Sequence, residues 1–284
     1  MREKLIESLA ESADPDAVSW LRDTISNLSV TFEKRPFYYS FSGVSRRFDK
    51  SAKIKGADDS PFDGWDEYRA ARVALLLVLG EQEKTIFLET FFSVLNTADI
   101  REQIALFSSL QWMPYQDELI EAAVDGLRTN IVDIFDAIAL DNPFPQMHFT
   151  EEAWNQMMLK AIFMTRPLHR IHGVAERKNR PLAEAISDLA HERWAAGRVI
   201  TPEAWRSVIG FLDERHSDDI RKVAGSENPS DRAAASLVVS ESGDSLIDLQ
   251  ESLTEELALI DSGELSWHSL GQTIEEQLVR ESLT

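Results

Sequence analysis

His191 stands one helical turn after Ser187, three residues after Asp188 and beside Glu192, in the string SDLAHERWAAGR. A carboxylate at that spacing can hold one ring nitrogen and so fix the tautomer that acid–base chemistry requires. His191, Glu192 and Asp188 are therefore the candidates for catalysis; the competing reading is a histidine satisfied at a packing interface. On the same helix the apolar rhythm Leu182, Ile186, Leu189 and Ala190 continues onto Arg193. A guanidinium there cannot shed its charge, so it needs a carboxylate such as Asp133 or Asp136, a bound anion, or backbone carbonyls. Lys160, in LKAIF, has apolar neighbours on both sides. It either belongs to a solvated face with Glu152 and Gln156 or is drawn from water to hold an anion.

Five cations, Arg166, Arg170, Arg177, Lys178 and Arg180, crowd the next connection. They form a solvated loop or a receptor for phosphate or carboxylate. His169 and His172 are spaced as a helical pair, but no third ligand follows at a recognisable distance, and no metal is expected. The twelve glycines form no phosphate loop and no dinucleotide fingerprint. A serine nucleophile elbow and a paired-histidine metalloprotease helix are also missing, so no cofactor is expected. Trp194 and Trp205 read as packing anchors or as ligand platforms.

The elements that must position these groups are helices. Apolar residues recur at three- and four-residue spacing nearly everywhere, and strand-like alternation is almost absent. The spacing predicts helices over Glu3–Ser12, Pro15–Leu28, Trp65–Leu79, Glu83–Leu95, Ile100–Leu110, Gln116–Leu127 and Ile131–Leu140. Further helices are predicted over Glu151–Met164, Pro181–Ala196, Pro202–Leu212, Asp218–Val223, Ser230–Val239 and Leu246–Ile260. Thr201-Pro202 and Asn228-Pro229 place a capping oxygen before a proline, and Thr150 precedes Glu151 and Glu152, as helix starts require. Residues 30–58 and Asp141–Phe149 lack a helical stripe and read as shaped loops. The fold class is all-α, either an irregular bundle or a HEAT/armadillo-like stacked array. The small residues of DRAAASLVV favour the array, although no sequence period is evident. One helical domain is expected over residues 1–240, with an acidic helical extension over 241–284.

Composition narrows the classes. An apolar fraction of 43% with 27% charged residues is that of a globular chain, and 284 residues suffice for a sizeable core. The absence of cysteine removes disulfides, thiolate nucleophiles and zinc–thiolate sites. A net charge of −20 opposes non-specific binding to nucleic acid or anionic lipid. Residues 237–284 carry eleven acids against the single base Arg280, whereas seven bases face only Asp49 between Lys34 and Lys55. The start, MREKLIESLAESADPDAV, reads as an acidic amphipathic helix rather than a secretory signal, and no apolar run approaches the ~20 residues of a membrane span. A cytoplasmic protein without a transmembrane segment is expected.

Four strings in fixed order, RTNIVDIFDAIALDNPFP, AWNQMMLKAIF, RPLHRIHGVAERKNRPLA and HERWAAGR, together resemble the EboA family of metabolite-traffic proteins over about residues 95–215. The matching positions are Arg128, Asn130, Asp136, Asn142, Pro143, Trp154, Asn155, Lys160, Arg177, Asn179, His191, Glu192, Arg193, Trp194 and Arg198. The resemblance carries over no catalytic residue. It implies partners encoded nearby, among them a prenyltransferase-like membrane protein, a sugar-isomerase-like protein, a metal-dependent hydrolase-like protein and a dehydroquinate-synthase-like enzyme. It also implies a role in moving or processing secondary metabolites. The leading expectation is an accessory helical protein, not itself an enzyme, binding a polar, anionic metabolite or a partner protein. The expected ligand-binding residues are Arg128, Asn130, Asn155, Lys160, Arg177, Asn179, Arg193 and Arg198. The alternative is an enzyme acting on a cyclitol- or sugar-phosphate-like substrate, with His191 and Asp188 or Glu192 as the acid–base pair. A third reading is an adaptor that docks through residues 34–55 or the acidic tail.

Overall fold

A computed structural model describes residues 1–56 and 60–282, and the fold is all-α: helices carry it, and among the described residues the only β feature is an isolated bridge between Lys53 and Asp66. Tertiary contacts divide the chain into two compact units, Met1–His148 and Phe149–Thr284.

The first unit contains α1 (Arg2–Ser12), α2 (Pro15–Val30), α3 (Lys34–Gly43), α4 (Glu67–Leu79), α5 (Lys84–Leu95), α6 (Ile100–Ser109), α7 (Ile120–Gly126), α8 (Val132–Ala139) and α9 (Phe144–His148). Helix α4, EYRAARVALLLVL, is apolar around most of its circumference, which suits a helix enclosed by others. It packs against α1, α2 and α6. Arg72 lies within this run and is 1% exposed. Its Nη2 is 3.6 Å from the Glu102 carboxylate, its Nε donates to the Phe41 carbonyl at 3.3 Å, and the rings of Tyr68 and Phe41 lie beside it. Burial pushes the Arg72 pKa down, and Glu102 opposes that shift. Glu102 also completes a capping box with Asp99 at the start of α6, so one carboxylate links α4 to a helix terminus.

Two expected loops contain helices. Within residues 30–58, α3 forms because Phe37 and Phe41, one turn apart, are buried and stack at 6.0 Å. The stripe is aromatic and interrupted by Tyr38 and Tyr39, which hides its period. Ala57 and Asp58 of that expected loop lie outside the described residues. Within Asp141–Phe149, α9 follows a structural knot at Asn142, which is 2% exposed. The Asn142 amide donates to the carbonyls of Phe107 and Ala137 and accepts from Phe144 N–H. The segment predicted as one helix over Gln116–Leu127 is a 3₁₀ turn, Gln116–Leu119, leading into α7.

The second unit contains α10 (Glu151–Phe163), α11 (Arg180–Ala195), α12 (Glu214–Ala224), α13 (Pro229–Glu241), α14 (Thr254–Asp261) and α15 (Trp267–Ser282). Helix α10 buries Trp154, Met157, Met158, Ala161 and Ile162, the stripe read from the sequence, and Thr150 caps it by accepting from Ala153 N–H. Asn228 caps α13 as expected. Helix α13 offers Ala234, Ala235 and Ser236, small side chains that let α12, α14 and α15 pack against it.

Three expectations are corrected here. Pro202–Val208 is a 3₁₀ segment without a Thr201 side-chain cap, and it is buried on nearly every side, so tertiary contacts replace the amphipathic stripe an α-helix would use. The helix predicted over Leu246–Ile260 is a kinked 3₁₀ segment, Gly243–Leu249, followed by α14; Leu246 has non-helical backbone and is fully buried. Helix α15 falls within the expected helical extension over 241–284, but no separate helix was delimited there. It docks through Trp267, Leu270 and Ile274 and through Gly271, where a Cβ would stand 2.4 Å from the His169 ring. The acidic segment beyond Glu241 is thus folded into the second unit.

Candidate functional site

The candidate residues fall into three places. Arg128 and Asn130 belong to the first unit, between α7 and α8; both are exposed, and Arg128 pairs loosely with Asp125 at 3.4 Å. In the second unit Asn155, Arg177 and Asn179 gather where α10 meets the start of α11, and Lys160 lies further along α10. His191, Glu192, Arg193 and Arg198 lie at the far end of α11. Asn179 and Arg193 are fourteen residues apart, about 21 Å along the helix axis. One small ligand cannot bridge them.

The first of these groups in the second unit is largely structural. The amides of Asn155 and Asn179 bond reciprocally at 2.9 and 2.8 Å, and Asn179 also caps α11 by accepting from Leu182 N–H. Arg177 donates to the Phe149 carbonyl at 2.7 Å and lies 4.9 Å from the centre of the Trp154 ring. Burial lowers the pKa of both Lys160 and Arg177, with Glu151 opposing the shift at Arg177. Of the neighbouring cations, Arg170 pairs with Glu275 at 2.9 Å, and Arg180 lies between Glu184 and Asp213.

The far end of α11 is built differently. His191 Nε2 meets Asp219 Oδ1 at 2.6 Å, and the Ser187 hydroxyl donates to the other oxygen of the same carboxylate. The expected partner, Asp188, is instead taken by Arg215 at 2.6 Å. Sequence distance favoured Asp188, but Asp219 is the residue that α12 brings onto the buried side of α11. It sits with His216, Ile220 and Val223 on the apolar stripe of α12, and a carboxylate on such a stripe was the legible signal for it. Serine, aspartate and histidine here do not make a nucleophilic triad. Ser187 is fully buried and its proton points at the carboxylate, leaving no hydroxyl–imidazole pair. Arg193 is half-buried, and its Nε donates to the Val199 carbonyl at 2.6 Å, the carbonyl solution among those considered for it.

Beside this pair is a cavity of about 230 Å³ lined by Trp194, Ile200, Trp205, Lys222, Ser226 and Asp231 among others. The indoles of Trp194 and Trp205 stack at 5.8 Å and 23°, and the His191 ring lies 5.5 Å from Trp194. Lys222 Nζ sits 3.8 Å from the centre of the Trp194 ring, a cation–π geometry. Asp231 accepts from the Ser226 hydroxyl at 2.8 Å; burial raises its pKa and that hydrogen bond partly offsets the rise. Lys222, Ser226 and Asp231 were missed in the sequence, where they read as ordinary surface residues.

His169 and His172 do not act together. The His169 side chain is 4% exposed between Glu203 and Glu275, each at 3.3 Å, while His172 is exposed. Among the described residues no group of three or more His, Asp or Glu side chains is placed to hold a metal ion.

Fold and site define an all-α protein with a compact, aromatic-walled polar cavity. The chain belongs to the EboA family: the family's sequence model, described as metabolite traffic protein EboA, matches residues 1–209. No curated protein and no solved structure matches the chain. The family match takes in Trp194 and Trp205 and stops before α12 and α13, which supply Lys222 and Asp231.

Proposed function

We propose that the protein is an accessory component of metabolite traffic that holds a small polar metabolite, about the size of one hydroxylated ring, in the Trp194–Trp205 cavity. The observation that supports this reading best is the convergence of two stacked indoles, an ammonium and a half-buried carboxylate on one cavity. The half-buried Trp194 indole, backed by fully buried Trp205, takes the C–H face of a sugar or cyclitol ring, while Asp231 and Ser226 suit its hydroxyls. Lys222 suits a phosphate or carboxylate substituent. Arg198, exposed beyond α11, belongs to the rim in this reading. A cytoplasmic setting and operon partners such as a prenyltransferase-like membrane protein or an isomerase-like protein are part of the same proposal. No helix among the described residues is long and apolar enough to cross a membrane.

Calorimetric titration with myo-inositol, inositol monophosphate and glucose 6-phosphate tests it. Trp194→Ala weakens binding of every compound tenfold or more, and Lys222→Ala weakens the phosphorylated compounds selectively. Absence of heat with all three compounds removes the proposal. The His191–Asp219 bond favours a second reading, an enzyme in which Asp219 rather than Asp188 orients an acid–base histidine. Under that reading turnover of one of these phosphates follows a pH profile that His191→Ala abolishes.

A further inference from the structure

Arg206 neighbours Trp205 in the 3₁₀ segment, but its side chain lines a different cavity of about 380 Å³, together with Leu237, Ile260, Leu265, Trp267 and the two imidazoles of His169 and His268. Its Nε is buried without a hydrogen-bond partner, and among the described residues the guanidinium makes no ion pair. The ring of Trp267 lies 5.9 Å from it. An arginine cannot relieve burial by losing its proton, so an unpaired guanidinium in a concave site calls for an anion. Glu241 also lines the cavity, but its Oε1 accepts from Trp267 Nε1 at 2.7 Å and it forms no ion pair with Arg206. The remaining wall is leucine, isoleucine and indole, with the small polar side chains of Ser240 and Ser266.

We infer that this cavity is a second binding site, separate from the Trp194 cavity, for an organic oxyanion: a carboxylate or phosphate monoester carried on an apolar body. Arg206 holds the oxyanion through charge-assisted hydrogen bonds, the imidazole of His268 flanks it, the His169 ring, whose nitrogens face Glu203 and Glu275, closes the wall, and Leu237, Ile260 and Leu265 receive the apolar part. The site joins two parts of the chain: Arg206 and His169 fall within the family match, while the apolar wall, Trp267 and His268 lie beyond it.

The experiment is calorimetric titration of the full chain with benzoate, phenyl phosphate, inorganic phosphate and neutral benzamide. Benzoate or phenyl phosphate binds at least tenfold more tightly than benzamide and than inorganic phosphate. Arg206→Gln lowers that affinity tenfold or more, and Glu241→Gln raises it by removing a repelling carboxylate. If Arg206→Gln does not fold, Leu265→Trp decides by filling the cavity with Arg206 kept: lost binding supports the site and retained binding overturns it. Benzamide binding as tightly as benzoate, inorganic phosphate binding as tightly as phenyl phosphate, no binding by any probe, or equal affinity in folded Arg206→Gln each overturns the inference.

Discussion

Asp231 is a carboxylate kept where folding alone would favour a neutral group. It is half-buried, its one hydrogen bond comes from a neutral hydroxyl, and burial dominates its raised pKa. Because the folded carboxyl binds its proton more tightly than the unfolded one, the folded state gains stability as the pH falls through the raised pKa. The gain is complete below the ordinary value of 3.8. Asp231→Asn keeps an acceptor for Ser226 and removes the charge, so its melting temperature exceeds that of the parent at pH 7, and the difference narrows as the pH falls towards that ordinary value. The same change weakens binding of hydroxylated ligands, the usual exchange of stability against function at a site. Equal melting temperatures at pH 7 would mean that Lys222 already compensates Asp231 in solution. In the sequence Trp194, Trp205 and His191 were legible because their types are rare and chemically loaded. Asp231 and Lys222 were not, because only the packing of α12 and α13 turns two ordinary charges towards the indoles.

Helix α15 shows what limits legibility at the scale of elements. Its sequence WHSLGQTIEEQL offers a thin apolar stripe, Trp267, Leu270 and Ile274, and the fourth docking position is a glycine. Periodicity reads side chains, so a contact made by the lack of one is invisible to it. The stripes of α10 and α11 were legible because four or five aliphatic or large apolar residues mark each. Helix α3 was hidden by aromatic residues on both faces, and the 3₁₀ character of Pro202–Val208, read as an α-helix, by its burial on nearly every side. At Gly271 an added methyl meets not only the His169 ring at 2.4 Å but its Cβ at 2.5 Å, so the imidazole cannot swing aside without moving its stem. Gly271→Ala therefore costs about 1–3 kcal/mol, the range for overpacking a filled interface. Amide hydrogen exchange along α15 accelerates ahead of that in α13, and the melting temperature falls. Unchanged exchange in α15 would show that the Gly271–His169 approach does not hold this helix in place.

Over the whole molecule the negative charge is divided evenly. Residues 1–148 hold 25 acids against 15 bases, and residues 149–284 hold 24 against 14. Within the second unit the division is uneven: residues 149–200 carry eight bases and six acids, residues 201–284 six bases and eighteen acids. Arg206 and most of its cavity belong to the acidic stretch. An approaching anion is therefore repelled at long range and attracted by the guanidinium only near contact. Charges interact over about 30 Å at 0.01 M salt and about 10 Å at 0.1 M. Added salt screens the distant repulsion before it reaches the contact, so the association rate of phenyl phosphate rises between these concentrations. The rise exceeds that of benzoate, whose charge is smaller. A basic nucleic-acid-binding surface behaves in the opposite way. Temperature-jump relaxation of tryptophan fluorescence measures both rates; association that slows as salt is added would place a positive field at the cavity mouth strong enough to outweigh the acidic surface around it.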